Sequence, residues 1–124
     1  MPGLDNVKVV VGRAEDVAHD IHYREQFKLV LSRAVATLPA LVELTLPLAA
    51  IGGSFIAQKK GNIDLEISRA AKAISLLGGK LREVKGVGLE ELPDERWLVI
   101  IDKVMPSPPQ YPRRPGMPKK RPIV

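Results

Sequence analysis

Two strand-like runs near the C-terminus, KLREVKGVGL (residues 80–89) and RWLVIIDKV (96–104), follow one another with no helical pattern between them. Each earlier strand-like run, in contrast, leads into a helix. That order constrains the fold more than any other feature. Strands alternating with helices imply a parallel sheet covered on both faces. Two consecutive strands joined by a loop, here containing EELPDE, add an antiparallel pair at the end.

The alternation begins with NVKVVVG (6–12), a β-branched run ending in Gly, which reads as a buried strand. RAEDVAHDI (13–21) reads as a short helix with Glu15 and Asp16 in its first turn, where the helix dipole favours acids. FKLVLSRA (27–34) is the second strand. Thr37 is a plausible N-cap for the helix LPALVELTLPLAAI (38–51), with Pro39 tolerated in the first turn and Pro47 a kink or early stop. Gly52 and Gly53 are expected to end that helix, and SFIAQKKG (54–61) to form the third strand. NIDLEISRAAKAISLLGG (62–79) sets Ile63, Ile67, Ala70, Ala71, Ile74 and Leu77 on one helical face before a Gly–Gly stop. The order is β-α-β-α-β-α-β-β without internal repeats. Beyond Met105 the proline density speaks against regular structure, which divides the chain into a domain at 1–105 and a basic, Pro-rich tail at 106–124.

Charge separates these parts. The chain carries 19 Lys and Arg against 14 Asp and Glu, and five of the cations, Arg113, Arg114, Lys119, Lys120 and Arg121, lie in QYPRRPGMPKKRPIV. Without them the remainder is neutral, so the excess points from the tail to an anionic partner: RNA, DNA or a membrane surface. No cysteine is present, which excludes a thiolate nucleophile and Cys-based metal sites. His19 and His22 read as solvated helix-end residues, and no metal site is expected. The longest apolar stretch (34–51) is interrupted by Thr37, Pro39, Glu43, Thr45 and Pro47 and cannot span a bilayer continuously. A cytoplasmic location is expected.

Parallel units followed by an antiparallel hairpin resemble the second half of a class I S-adenosylmethionine-dependent methyltransferase, a Rossmann-like α/β fold. VVVGRAED, LVLSRAVATLPALVE, GGSFIAQKKG, ERWLVIIDK and YPRRPGMPKKRPI, in that order and spacing, resemble the small-subunit ribosomal RNA methyltransferase G family (the glucose-inhibited division protein B family). The resemblance implies methylation of a guanine N7 in 16S rRNA, S-adenosyl-L-methionine as cofactor and the small ribosomal subunit as partner. It also implies that Ala14 and Glu15 contact the cofactor's adenosine end and that Arg33 is a cofactor-site arginine. Both motifs fall beyond the carboxyl ends of strands, where open α/β sheets bind ligands. Taken without the family, Glu15 equally suits the helix dipole and Arg33 a surface ion pair. Two departures stand out. Lys28 occupies a position where many members carry Asp, and AQKKG leaves open whether Lys59 or Lys60 is the family's lysine before Gly61.

A further departure is the Gly-rich cofactor loop, which in the family follows the first strand and which no glycine pair here matches. The sequence therefore resembles a C-terminal portion, inactive on its own. In the class I strand order 3-2-1-4-5-7-6 the strand at 27–33 would then be an exposed edge. Self-association, or pairing with a separate N-terminal half, is the expected consequence. No catalytic residue is assigned, since guanine N7 carries a free lone pair and needs alignment rather than deprotonation. Two other readings remain: a non-catalytic remnant acting as an RNA-binding module, and a small α/β domain with a membrane-surface tail. The second lacks the aromatic or lipidated anchors such a tail uses. The five tail cations are expected to be phosphate contacts on an extended segment.

Overall fold

The computed structural model describes residues 14–33, 36–87 and 96–124. The expected strand at 6–12 lies outside these residues. Helix α1 (Ala14–Val17) is followed by β1 (Phe27–Ser32), α2 (Leu38–Thr45), a 3-10 turn (Leu46–Leu48), β2 (Ala49–Lys60), α3 (Ile63–Leu76), β3 (Gly79–Gly86), β4 (Arg96–Lys103) and a single turn, α4 (Met117–Lys120). The sheet order is β1-β2-β4-β3. β1 and β2 are parallel, and β4 inserts antiparallel between β2 and β3. This is the order expected of the last four strands of a class I methyltransferase sheet, with the antiparallel pair at its end.

The core lies between this sheet and the helices α2 and α3. Phe55 and Ala57 of β2 and Val99 and Ile101 of β4 alternate with residues of the opposite face, as strand geometry requires, and all four are fully buried. They pack with Leu38, Leu41, Val42 and Leu46 and with Ile63, Ala70, Ala73, Ile74 and Leu77. Burying each large aliphatic or aromatic side chain contributes about 1.5–3 kcal/mol. The expected stripe of α3 is correct except that Ala73 is buried while Ala71 is exposed. The opposite sheet face differs from expectation. Among the described residues both long helices lie on one face, and Leu29 (53% exposed) and Leu31 (67%) of β1 project on the other. The alternation of β1, whose Val30 faces the core, puts them there.

Local boundaries also differ. The helix expected over 38–51 stops at Thr45, tightens into the 3-10 turn around Pro47, and gives way to β2 at Ala49. Pro47 is the stop, so Gly52 and Gly53 fall inside a strand. At Gly53 a Cβ would stand 2.7 Å from the Lys28 carbonyl oxygen, so only glycine lets β1 approach there. Thr37 precedes α2 without a side-chain capping bond. The helix expected over 13–21 is the single turn α1. Gly78 ends α3 at φ +88°, where a Cβ would collide with Met105 O at 2.1 Å, and its own carbonyl accepts the Val104 and Met105 N–H groups.

The segment after β4 departs most from expectation: it is folded back as a strap rather than extended, and carries the single turn α4. Arg24, in the turn between α1 and β1, donates to four carbonyl oxygens, those of Ala18, Ser107, Pro108 and Tyr111. Glu25 beside it adopts φ 54°, a left-handed conformation that is unfavourable for a non-glycine residue. It is held there by its N–H on Pro47 O and by its carboxylate, which accepts from Ser107 N–H and meets the buried Lys103 ammonium at 3.0 Å. Lys103 donates in addition to the carbonyls of Leu46 and Ala49.

Candidate functional site

The carboxyl ends of the parallel strands β1 and β2 face one edge of the sheet, and antiparallel β4 brings its first residues to the same edge. Arg33 directly follows β1 and is exposed. Lys60 ends β2 and Gly61 follows it, with Arg96 and Trp97 opposite Lys60 and Lys59. Ala36 and the first turn of α2 are tied down by side chains from elsewhere. Lys59 points into the core face, like Phe55 and Ala57, four and two residues before it. It donates from Nζ to Ala36 O (2.8 Å) and pairs with Glu66 at 3.2 Å. The other Glu66 oxygen accepts the Leu38 N–H at 3.0 Å. Glu66 thereby does for α2 what Thr37 was expected to do: it satisfies a first-turn N–H that has no partner inside the helix. The two neighbouring lysines have different tasks, Lys59 (6% exposed) holding the Ala36 carbonyl and Lys60 lying in solvent.

Ala14 and Glu15 open α1. The Glu15 carboxylate accepts the Gly116 N–H of the strap at 3.0 Å, so this motif is joined to the tail. His19 contacts Pro112 O nearby, and His22 is exposed beside Asp20. Among the described residues no group of His, Asp and Glu is arranged to hold a metal ion. No helix among them is long and apolar enough to cross a membrane.

In the strap, the five cations take two kinds of place. Arg113 lies on Glu43, a carboxylate of α2 that is fully buried. Its backbone N–H and its guanidinium Nε and Nη2 all donate to the two Glu43 oxygens at 2.7–3.2 Å. The hydrogen-bonded Glu43 carboxylate raises the Arg113 pKa above its ordinary value. The side chains of Arg114, Lys119, Lys120 and Arg121 are exposed, the two lysines on the single turn α4. The structure thus gathers four solvated cations on a segment whose course is fixed by Arg24, Glu43 and Glu15. Sequence reasoning missed Glu43, Glu66 and Arg24 as the residues that set this geometry.

A family model described as rRNA small subunit methyltransferase G (GidB) matches residues 2–96. The chain is 48% identical over 122 residues to the ribosomal RNA small subunit methyltransferase G of Dehalococcoides mccartyi, covering 98% of the chain and 52% of that protein. It is 48% identical to the protein of the same name from Brevibacillus brevis, over 98% of the chain and 51% of the relative. With that of Clostridium novyi it shares 46% identity, covering 98% and 50%. The chain spans about half the length of the curated relatives it matches.

Proposed function

The chain belongs to the rRNA small subunit methyltransferase G family, and on that premise we propose that it contributes to S-adenosylmethionine-dependent methylation of a guanine N7 in 16S rRNA. The observation that carries this reading is the 48% identity to a family member over 98% of the chain, supported by a sheet whose strand order is that of the C-terminal portion of a class I methyltransferase. The edge where β1 and β2 end is the ligand side of such a sheet. By the family resemblance, we assign Arg33, which follows β1 at that edge, to the cofactor site, and Ala14 and Glu15 to the cofactor's adenosine end. Bound there, S-adenosylmethionine supplies an electrophilic methyl group. The chain's own residues then align and charge-stabilise rather than move protons, because the N7 lone pair is already free. Lys59 and Glu66 serve this by fixing Ala36 and the start of α2, a few residues after Arg33.

Calorimetry tests the cofactor reading. Titrated with S-adenosylmethionine, the chain alone should give no heat and should sediment as more than a monomer, since Leu29 and Leu31 of β1 stand exposed. Mixed with a polypeptide that carries the remaining half of a relative's length, it should bind cofactor and methylate small-subunit rRNA. A mixture that forms a complex yet binds no cofactor would sink the enzymatic reading and leave an RNA-binding module.

We assign the strap to RNA phosphates, with Arg114, Lys119, Lys120 and Arg121 in direct contact and Arg113 anchoring the segment on Glu43. Replacing Arg114, Lys119 and Lys120 together by glutamine should weaken RNA binding. It should also reduce the slope of log affinity against log salt by roughly two units, at about 0.7 per single-strand phosphate contact. An unchanged slope would make the strap purely structural.

A further inference from the structure

Trp97 is the chain's one tryptophan, and neither the cofactor nor the strap makes use of it. It is the second residue of β4, opposite Lys59 of β2 on one side and Gly86 of β3 on the other, at the same sheet edge as Arg33. Its position is fixed from two directions. The indole N–H donates to Gly61 O at 3.2 Å. Across the ladder, a Cβ on Gly86 would stand 3.3 Å from Cζ3, so the bare backbone of β3 lies directly against the ring. The ring lines an open pocket of about 610 Å³ together with Gly61, Asn62, Ile63, Asp64 and Val84, within the range of roughly 300–1,000 Å³ typical of small-ligand sites. Ile63 and Val84 give apolar wall, and Asn62 and Asp64 give polar lining. Asn62 uses Oδ1 for a long capping bond to the Leu65 N–H. The exposed Asp64 carboxylate makes no hydrogen bond or ion pair among the described residues.

A fixed indole, an apolar wall and an uncommitted carboxylate form a combination that suits a flat heteroaromatic ring with N–H donors on its edge. Stacking on an aromatic side chain is how proteins hold single unstacked bases, and every base offers the π-face it needs. The carboxylate supplies the choice. Guanine presents two parallel donors, N1–H and N2–H, to both oxygens of one carboxylate. Adenine and cytosine offer one amino donor beside an acceptor, and uracil one N–H between two carbonyls. We propose that this pocket docks one unpaired guanine of the RNA, stacked on Trp97 and held by its Watson–Crick edge on Asp64. The proposal rests on the reading that the chain meets RNA and adds a base-specific contact to a strap that touches only phosphates.

Because Trp97 is the sole tryptophan, its fluorescence reports on this pocket alone. The test titrates the full chain with 5′-labelled pentaribonucleotides, U₂GU₂ against U₂AU₂ and U₅. Indole emission and label anisotropy are read together. The expected result is saturable quenching by the guanine oligomer, with affinity about tenfold above the other two, as one bidentate base contact gives. The exposed substitution Asp64→Asn, which turns one acceptor into a donor, should keep the quenching and abolish the tenfold preference. Anisotropy that rises without quenching, or quenching equal for all three oligomers, overturns the pocket and leaves the RNA reading intact. No rise in anisotropy with any oligomer overturns both.

Discussion

Replacing Lys103 by methionine should lower the unfolding free energy by about 3 kcal/mol, visible as a fall in denaturant midpoint at unchanged m. Lys103 is fully buried on β4, and its ammonium serves the Leu46 and Ala49 carbonyls and the Glu25 carboxylate. Methionine fills the space but removes the ammonium from all three acceptors, leaving Leu46 O with the Ala49 N–H and the Glu25 carboxylate with the Ser107 N–H. Removing one partner of a buried pair typically costs about 3–5 kcal/mol. The lower end applies, because Glu25 keeps 24% of its side chain in solvent. Against a usual net stability of about 5–15 kcal/mol this is a large fraction. A loss below about 1 kcal/mol would mean that water replaces the ammonium without difficulty.

The same pair sets an acid limit. Burial alone would raise the Glu25 carboxyl pKa, but the Ser107 N–H and the Lys103 ammonium outweigh it and hold the group below the usual carboxylate range. A carboxyl depressed on folding stabilises above its unfolded value, about 4.3 for glutamate. That contribution fades as pH falls through the lower folded value. The Lys103→Met chain should therefore lose less stability than the unsubstituted chain on going from neutral pH to about pH 3, since part of the dependence is already gone.

Glu43→Ala is expected to release the strap before the rest of the chain unfolds. Glu43 is the fully buried acceptor for three Arg113 donors, and its removal leaves the guanidinium, 28% exposed, without its acid. A local destabilisation of about 2 kcal/mol makes the open strap roughly thirtyfold more populated. Trypsin should then cut the Arg113–Arg114 bond correspondingly faster, at a temperature where the sheet is intact. Arg113→Ala should be the more destabilising of the two single changes, because it strands a carboxylate rather than a half-solvated guanidinium. The double substitution should cost less than their sum. Strictly additive losses would show that the pair is not coupled.

The elements with a strong period were legible in the sequence: α3 from its apolar stripe, β4 from RWLVIIDKV, and the antiparallel ending from the missing helix between the last two runs. The end of α2 was not, because ALVELTLPLAAI is apolar throughout and carries no period that separates a buried helix from a buried strand. Pro47 held the decisive signal, and the glycines after it drew the boundary too late. At the site, Arg33 could be placed from its position after a strand. The role of Lys59 was partly legible, since period two from Phe55 and Ala57 turns it inward. Its partner Glu66 could not be found this way, because a helix packed across the sheet supplies it. Glu43 and Arg113 are 70 residues apart, and nothing local to either states that they meet. The tail's composition gave its charge correctly and its conformation wrongly: proline density rules out a long helix, but it does not prevent irregular backbone from docking when side chains supply the hydrogen bonds.

The strap also orders events in time. Its bonds to Glu15, His19, Arg24 and Glu43 span between 70 and 101 residues, so during synthesis each of those groups exists for seconds before its partner has been made, at about 5–20 residues per second. In that interval the Glu43 carboxylate cannot be buried without a counter-charge and must remain hydrated on an unfinished α2. Closure over such long separations comes late in folding, and the arrival of Arg113 is what permits the helix to seal. A ribosome-bound nascent chain ending before residue 113 should therefore leave the α2 surface open to solvent, whatever the sheet beneath it has already achieved.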